Sequence, residues 1–293
     1  MRQWLKGFRI LRVCVRHARK MQVQGIYLLM RLGLPPGFPF RAAECHGRPQ
    51  PVIVSVTSYP PRFRWLALTL RCLLNQSVKA DRVILWVAHA DRDLLPRAVV
   101  KLQAHGLTIK STEDLKSYKK LIPALQCYGF DVNHVIADDD MYYPRHWLAT
   151  LLDDKAESAI VCHFARVWRE DKGVIDTYLQ WPELPPGAAS SHGLLIGLGG
   201  VWFPPGSLGE AVCDYALACR LCPSQDDIWF TWHALMNGYK IKRSAVSVPR
   251  FSWPGADVVA LSKTNNAPGQ GNDQAIGRMV RHYGLPVLSA HTS

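Results

Sequence analysis

The chain has 293 residues, 48% of them hydrophobic and 10% aromatic, which is enough to bury one large core or two modest ones. Its net charge of +12 is concentrated at one end, because residues 1–41 contain nine Lys or Arg and no Asp or Glu. The rest of the chain is nearly balanced in charge and lacks the basic stripe of a nucleic-acid-binding protein. Most of the eight cysteines lie in apolar segments, so no disulfide framework is predicted. No apolar run reaches the roughly 18 residues of a membrane span.

Residues 1–34 have the periodicity of an amphipathic helix. Trp4 and Phe8 fall on its apolar face and basic residues fall on the other, which suits a helix lying in the surface of an anionic membrane. A helix packed on the body of the protein and a basic arm for nucleic acid are the alternatives. Because charges interrupt the segment every three or four residues, it does not have the apolar stretch of a secretory signal. We therefore expect a cytoplasmic protein, peripheral on the inner face of the membrane.

The Pro- and Gly-rich stretch 32–40 predicts a linker, so we divide the chain into an extension, 1–46, and a single domain, 47–293. In the first part of this domain, β-branched apolar runs alternate with stretches of helical spacing. The predicted strands are 51–58, 81–87, 107–110 and 132–137, and the predicted helices between them are 65–76, 94–105 and 116–128. This alternation predicts an α/β domain with a mostly parallel central sheet flanked by helices.

The second part of the domain is less regular. A helix is predicted at 144–152, a strand at 159–164 and an irregular stretch at 167–186. The glycine-rich segment 193–203 (GLLIGLGGVWF) matches neither a P-loop nor a dinucleotide-binding motif, and it predicts a strand that lines a pocket. A helix at 229–236, a mobile polar loop at 262–273 and a last helix at 272–283 complete the chain.

Three consecutive acids, Asp138, Asp139 and Asp140, follow the predicted strand 132–137. The carboxyl ends of strands are where open α/β sheets place their ligand sites. Carboxylates two residues apart share a face of an extended chain, so Asp138 and Asp140 can converge on one Mg²⁺ or Mn²⁺ ion that also holds a diphosphate. A solvated acidic turn is the alternative interpretation of the three acids alone.

Five segments together resemble a nucleotide-sugar glycosyltransferase of the GT-A fold, in particular the family 2-like bacterial enzymes that build surface polysaccharides. They are TSYPPR at the end of the first strand, SYKKLIPAL, ADDD, GLGGVWFPP and QDDIW. The resemblance extends from about residue 52 to residue 273. It implies a Leloir enzyme of the hexosyltransferase type.

The resemblance implies roles at the donor. Asp138 and Asp140 match the family's DxD motif, which holds a divalent metal against the donor diphosphate, and Asp139 between them would face the ribose or a donor hydroxyl. Further residues match the family's nucleotide and phosphate positions, namely Thr57, Ser58, Tyr59, Arg62, Lys119 and Lys120. A solvated basic helix face is the alternative for the two lysines. Asn272 and Asp273 lie in a loop that could close over the donor.

The resemblance also implies roles at the acceptor. Gly199 and Gly200 match the segment that borders the donor sugar and the acceptor. Asp226 and Asp227 match the acidic pair of inverting members, in which one carboxylate is the general base on the acceptor hydroxyl. We favour Asp226 as the base, although Gln225 departs from the family's usual residue before this pair. The alternative for the pair is capping of the helix that follows.

A C-terminal histidine often completes the metal site in such enzymes, and His282 and His233 are the candidates here. The predicted function is metal-dependent transfer of a sugar, from a UDP-sugar, to a glycan or lipid-linked acceptor in cell-surface polysaccharide synthesis. A metal-dependent nucleotidyl- or phosphotransferase would also use clustered acids, and a non-catalytic membrane-surface binding protein would use the basic helix alone. These two classes are the alternatives.

Overall fold

The computed structural model describes residues 40–152, 158–171, 174–256 and 271–286, together with Met21, Gln24, Gly25 and Leu28. Nearly all of the predicted amphipathic helix and linker, and most of the predicted loop 262–273, lie outside these residues and stay predictions. The division at residue 46 also stays a prediction. Within the described ranges, no helix combines the length and apolar character needed to cross a membrane.

Twelve strands form the framework of the described chain. They are β1 (Glu44–Cys45), β2 (Val52–Thr57), β3 (Val78–Lys79), β4 (Arg82–Ala88), β5 (Leu107–Thr112), β6 (Asn133–Ala137), β7 (Ala159–Val167), β8 (Glu170–Asp171), β9 (Val174–Ile175), β10 (Ala189–Ser190), β11 (Gly193–Phe203) and β12 (Lys240–Arg243). Eight of them form one sheet in the order β10-β12-β7-β11-β6-β2-β4-β5. The pairs β2–β4, β4–β5, β2–β6 and β7–β12 are parallel, whereas β11 runs antiparallel to both of its neighbours.

The α-helices pack on both faces of this sheet. They are α1 (Phe63–Leu74), α2 (Arg97–Val100), α3 (Ile122–Tyr128), α4 (Trp147–Leu152), α5 (Tyr215–Leu221), α6 (Asp226–Met236) and α7 (Asn272–Tyr283). Alternate residues of the strands point to opposite faces, so Val54 of β2 packs with α1 and α4 on one side, and Ile136 of β6 packs with α3 and α6 on the other. The predicted α/β class, with a mostly parallel sheet flanked by helices, is confirmed.

Two predicted helices are broken in the structure. The segment predicted as one helix at 94–105 consists of α2 between two 3-10 turns, His89–Leu94 and Lys101–His105. The segment predicted at 116–128 begins as a 3-10 turn, Lys116–Lys120, before α3. Pro123 lies in the first turn of α3, where its missing N–H costs no hydrogen bond, so a new helix starts there instead of the old one continuing. Lys119 and Lys120 therefore belong to the 3-10 turn and not to α3.

The strand register brings the predicted site segments together. In the parallel pair β2–β6, Val56 lies opposite Ala137, so the residues after both strands emerge at the same edge of the sheet. The antiparallel strand β11 pairs Val201 with Ile136, which places the earlier residues of β11 beside the chain that leaves β6. Helix α6 packs across β11. This edge of the sheet therefore collects residues from four distant parts of the sequence.

Candidate functional site

A cleft of about 1020 Å³ opens at this edge of the sheet. Most of the residues singled out in the sequence line it, namely Thr57, Ser58, Tyr59, Arg62, Lys119, Lys120, Asp138, Asp139, Asp140, Asp226, Asp227 and Asn272. The volume is in the range of small-molecule and cofactor sites in proteins. The cleft is therefore the candidate active site.

Asp138, Asp139 and Asp140, called here the acid triad, follow β6 directly. Arg62 binds two of them, with Nη1 2.8 Å from Asp139 Oδ1 and 3.3 Å from Asp140 Oδ2. Ser58 Oγ donates to Asp139 Oδ2 at 2.5 Å. Asp139 is thus held by two protein groups rather than turned towards the open cleft.

Burial changes the ionisation of the acid triad. It raises the pKa of Asp140 to about 7, and the charge of Asp139 adds to the rise while Arg62 opposes it. Burial also raises the pKa of Asp139, against the opposing effects of Arg62 and Ser58. The same carboxylates more than offset the burial of Arg62, so the pKa of its guanidinium is raised. The three groups form one tightly coupled cluster of opposite charges.

Lys120 links the acid triad to Asp226 and Asp227, called here the acid pair. Its Nζ lies 2.8 Å from Asp226 Oδ2, 3.6 Å from Asp138 Oδ1 and 3.8 Å from Asp227 Oδ1. Burial by itself lowers the pKa of Lys120, but Asp226, Asp138 and Asp227 together raise it well above its ordinary value. A single buried ammonium group therefore joins the two acidic segments, which are 88 or 89 positions apart in sequence.

The acid pair forms the first turn of α6, where the helix dipole favours negative charge. Asp227 Oδ2 accepts the backbone N–H of Gly197 in β11 at 2.8 Å. A Cβ at position 197 would lie 2.7 Å from Asp227 Oδ1 and 3.0 Å from Lys120 Nζ. Burial raises the pKa of Asp227 to about 7 in spite of Lys120, and Asp226 adds to the rise. Asp227 is therefore fixed against the sheet, whereas Asp226 faces Lys120.

Three further predicted residues, Lys119, Thr57 and Tyr59, also line the cleft. Lys119 Nζ is paired with Asp114, and Thr57 Oγ1 donates to the carbonyl of Trp86 at 3.0 Å. Tyr59 is 38% exposed, and Arg62 lies 5.8 Å from the centre of its ring. An exposed aromatic ring beside a guanidinium is a surface on which a planar base could stack.

Five predicted residues do not line the cleft. Gly199 and Gly200 both have positive φ. A Cβ would collide with the Phe164 ring at Gly199 and with the Trp147 ring at Gly200, so both positions require glycine. The Asp273 carboxylate accepts the backbone N–H of Tyr178 at 2.7 Å.

The two histidine candidates also lie outside the cleft lining. His282 is exposed beside Tyr283, and His233 is buried against Trp229 and Tyr283. Their proposed roles, like those of Gly199, Gly200 and Asp273, gain no support from the geometry of the cleft.

The structure adds residues that the sequence did not single out. Gly197 supports the acid pair, and a glycine inside an apolar strand could have suggested such a close approach. Arg166, Tyr178, Glu183 and Arg250 also line the cleft, and no local pattern in the sequence distinguishes them from ordinary surface residues.

Asp138 and Asp140 are the residues that could hold a divalent metal. Their carboxylate oxygens suit Mg²⁺ or Mn²⁺, which take one or two protein carboxylates and complete their shell with water and substrate phosphates. Among the residues that the structure describes, no group of three or more His, Cys, Asp or Glu side chains forms a complete metal site. The two carboxylates suit a metal that is shared with a phosphate ligand, and each also lies near a cation, Asp138 3.6 Å from Lys120 Nζ and Asp140 3.3 Å from Arg62 Nη1.

No family model matches the chain, and no curated protein matches its sequence. Solved structures similar to it include GT-A-type glycosyltransferases. A mannosyltransferase from Pyrobaculum calidifontis in complex with GDP-Man and Mn²⁺ is 15% identical over 92% of this chain and 74% of its own, with a TM-score of 0.48. Glucosyl-3-phosphoglycerate synthase from Mycobacterium tuberculosis in complex with UDP is 12% identical over 86% of this chain and 87% of its own, with a TM-score of 0.43.

A nucleotidyltransferase is similar to the same degree. The 4-diphosphocytidyl-2C-methyl-D-erythritol synthase from Anaerococcus prevotii is 12% identical over 71% of this chain and 94% of its own, with a TM-score of 0.46. At these identities and scores, the likeness does not choose between the two classes of transferase.

Proposed function

We propose that the protein is a metal-dependent glycosyltransferase that moves a sugar from a nucleoside-diphosphate donor to an acceptor hydroxyl. One observation carries the proposal: the acid triad and the acid pair meet in a single cleft, joined by Lys120 Nζ at 3.6 Å from Asp138 and 2.8 Å from Asp226. One set of carboxylates is then available for a metal and the other for a proton, side by side. Metal-dependent sugar transfer to a hydroxyl, with an enzyme carboxylate as the base, uses both.

The donor half of the site is assigned to the acid triad and the end of β2. Asp138 and Asp140 would hold the metal, which when bound offsets the charge that develops on the departing nucleoside diphosphate. Tyr59 offers a surface for the base, beside Thr57 and Ser58. Arg62, Lys119 and Lys120 line the cleft and would add positive charge near the phosphates while each stays paired with a carboxylate of the protein.

The acceptor half is assigned to the acid pair. The acceptor oxygen forms a bond to the anomeric carbon of the donor sugar, the bond from that carbon to the phosphate oxygen breaks, and the acceptor proton passes to Asp226. Each carboxylate of the pair has one protein partner, since Asp227 accepts the N–H of Gly197 and Asp226 is paired with Lys120. In this proposal Asp226 is the base and Asp227 is the residue that positions it. A base opposite the leaving group implies transfer with inversion.

The finer proposal is a UDP-sugar donor, a glycan or lipid-linked acceptor, and a role in cell-surface polysaccharide synthesis at the inner face of the membrane. The basic, amphipathic pattern of residues 1–34 supports the membrane location. Deletion of residues 1–34 should release the protein from vesicles containing phosphatidylserine without changing the melting temperature of the remaining chain. Equal vesicle binding by the full chain and the deleted chain would argue against a surface anchor.

The test of the activity is a thermal-shift screen of UDP-sugars and GDP-sugars, each with and without Mn²⁺. A ligand at a hundred-fold excess over its Kd stabilises the folded state by about 2.7 kcal/mol, so one donor should raise the melting temperature in the presence of metal. The stabilising donor is then incubated with acceptors, and release of nucleoside diphosphate is measured.

The same screen distinguishes the other transferase class. A nucleotidyltransferase would be stabilised by a nucleoside triphosphate and would release pyrophosphate from it. Stabilisation by a triphosphate alone, with no response to any sugar nucleotide, would overturn the proposal.

A further inference from the structure

Three arginines lie at or beside one wall of the cleft, in β7, at the end of β12 and in the chain after β12. They are Arg166, Arg243 and Arg250, called here the arginine wall, and Arg166 and Arg250 line the cleft itself. Glu183 is their carboxylate partner, with Oε2 3.1 Å from Arg243 Nη1 and Oε1 3.6 Å from Arg250 Nη2. Arg166 has no carboxylate partner among the ion pairs of the described residues, so three guanidinium groups lie beside one carboxylate and the wall carries excess positive charge.

Two of the arginines have structural bonds that hold the wall in place. Arg166 Nη1 donates to the carbonyls of Tyr178, Leu179 and Trp181 at 3.0 to 3.3 Å. Arg243 Nη1 donates to the carbonyl of Leu184 at 2.8 Å as well as to Glu183. These two side chains therefore tie the irregular segment after β9 to the sheet while keeping their charges near the cleft.

Arg250 is placed differently. Its Cζ lies 3.9 Å from the centre of the Phe164 ring, which fixes the plane of the guanidinium by stacking. Its side chain is 47% exposed, and the 3.6 Å contact with Glu183 is longer than a hydrogen bond. Burial lowers the pKa of Arg250, and Arg243 and Arg166 lower it further against the effect of Glu183. An oriented, accessible guanidinium beside like charges is suited to take an additional anion.

The backbone places Arg250 next to the catalytic end of the cleft. The residue after it, Phe251, accepts the N–H of Tyr142 at 3.0 Å, and Trp253 donates its N–H to the carbonyl of Asp140 at 2.9 Å. The segment that carries Arg250 is thus hydrogen-bonded along the chain that leaves the acid triad.

The strand register gives the separation between the wall and the acid pair. Arg166 pairs with Leu194 and Phe164 with Ile196, and the next residue of β11, Gly197, donates to Asp227. Phe164 and Arg166 therefore lie opposite residues of β11 that are one and three positions before Gly197. This corresponds to about 3 to 10 Å along the strand. Tyr178 lies beside the wall, because Arg166 Cζ is 5.0 Å from the centre of its ring. One sugar ring fits within this separation.

We propose that the arginine wall, through Arg250, binds an anionic group of the acceptor, a phosphate or a carboxylate carried close to the reacting hydroxyl. The inference rests on the proposed function, in which the acid pair is the acceptor half of the site. An anion at Arg250 replaces the long contact with Glu183, and a planar guanidinium can bind a phosphate or carboxylate through two parallel hydrogen bonds. At the other end of the cleft, Arg62 and Lys120 are already paired with the acid triad and the acid pair.

The test measures binding of three sugars to the full chain by ligand-observed NMR, with Mn²⁺ replaced by Mg²⁺ and the donor end filled with UDP or GDP. Glucose 6-phosphate carries a phosphate, glucuronate carries a carboxylate, and glucose is the neutral reference. At least one of the two charged sugars should bind about ten-fold more tightly than glucose, because a charge-assisted hydrogen bond contributes about that much affinity. Preference for one of the two anions identifies the group.

Variants separate the arginine wall from the rest of the cleft. Arg250→Gln should lower the affinity for the charged sugar to that for glucose, and Arg250→Lys should fall between. Glu183→Gln removes the competing carboxylate and should raise the affinity several-fold. Arg97→Gln is the matched control, because it makes the same charge change on an exposed helix position outside the cleft lining. It should change nothing.

Two results would overturn the inference. One is equal binding, or no binding, of the charged sugars relative to glucose in the wild-type chain. The other is an Arg250→Gln variant that melts like the wild type and keeps the full preference for the anion. Stabilisation of the wild type by nucleotide and metal is recorded in the same samples. If it is present, only the anion inference has failed, and if it is absent, the proposed function has failed.

Discussion

The two sides of the cleft differ in how their charges are balanced. The acid triad and acid pair place five carboxylates around two cations, Arg62 and Lys120, whose side chains are only 14% and 7% exposed. The arginine wall has the opposite composition, and its Arg250 side chain is 47% exposed. A buried cation among carboxylates holds the site together, whereas an exposed cation among cations is available for a ligand. The acidic side therefore has excess negative charge, which the proposed metal would neutralise. The basic side has excess positive charge, which the proposed anion would neutralise.

The largest effect is expected from the acid triad. Asp138→Ala removes a proposed metal ligand and should lower the transfer rate by about 10³-fold or more, because the charge on the leaving diphosphate then lacks its counterion. The measurement is release of nucleoside diphosphate from the donor found by thermal shift. Asp131→Ala is the control, since Asp131 is an exposed acid outside the cleft lining. Full activity of Asp138→Ala would show that the acid triad takes no part in the transfer reaction.

The next effect concerns the buried cation. Lys120→Met leaves Asp226 and its neighbours without their ammonium partner, and breaking a buried pair in this way should cost about 3 kcal/mol of unfolding free energy. Urea unfolding at neutral pH measures the change. Lys101→Met, at an exposed position, should leave the free energy of unfolding nearly unchanged. If both variants are equally stable, Lys120 is not what holds the acidic side together.

A smaller effect is expected at Gly197. A methyl group there would lie 2.7 Å from Asp227 Oδ1, so Gly197→Ala should displace the acid pair and reduce kcat about ten-fold or more while the nucleotide still binds. Gly209→Ala is the matched control, because a Cβ at that position meets no atom within 4 Å. Equal kcat for the two variants would show that the contact between β11 and the acid pair does not position the base.

The stability of the whole fold should respond to pH through His163, which precedes Phe164 in β7 and contacts Thr150. Burial lowers the pKa of His163 from 6.5 to about 4, so the unfolded chain binds a proton between these values that the folded protein does not. The contribution of His163 to stability is fully present above pH 6.5 and should fall by about 3 kcal/mol as the pH drops to 4. The slope of unfolding free energy against pH should decrease in His163→Gln and not in His89→Gln. An unchanged slope in His163→Gln would mean that this histidine ionises freely in the fold.

Much of the acidic side could be predicted from sequence because its residues lie beside regular elements. The acid triad follows an apolar strand, and Ser58 and Arg62 follow another, so the parallel register that joins Val56 to Ala137 was enough to bring them together. The acid pair could be placed at a helix start for the same reason. Local pattern and tertiary position agree at these residues.

The basic side could not be predicted in this way. Arg166 lies in a strand, Glu183 in an irregular segment and Arg250 in a loop, and only the packing of β7 against β11 and of residue 251 against residue 142 brings them to one wall. The break before α3 was missed because helical spacing continues through Leu121 and Pro123 allows a new start as well as an end. Contacts between segments far apart in sequence decide such features, and a single sequence carries no local signal for them.

The segment around Trp253 has a consequence for how the protein is made. Trp253 Nε1 donates to the Thr69 hydroxyl at 2.8 Å, and that hydroxyl donates to the carbonyl of Met141 at 3.0 Å. Helix α1 and the chain after the acid triad are thus joined by a residue that is synthesised 184 positions after Thr69. While a ribosome is still making the chain, the acid triad is present but lacks this bond. The binding site can reach its final form only after Trp253 has been synthesised, so a shortened product ending before Trp253 would hold most of the acids without this hydrogen bond.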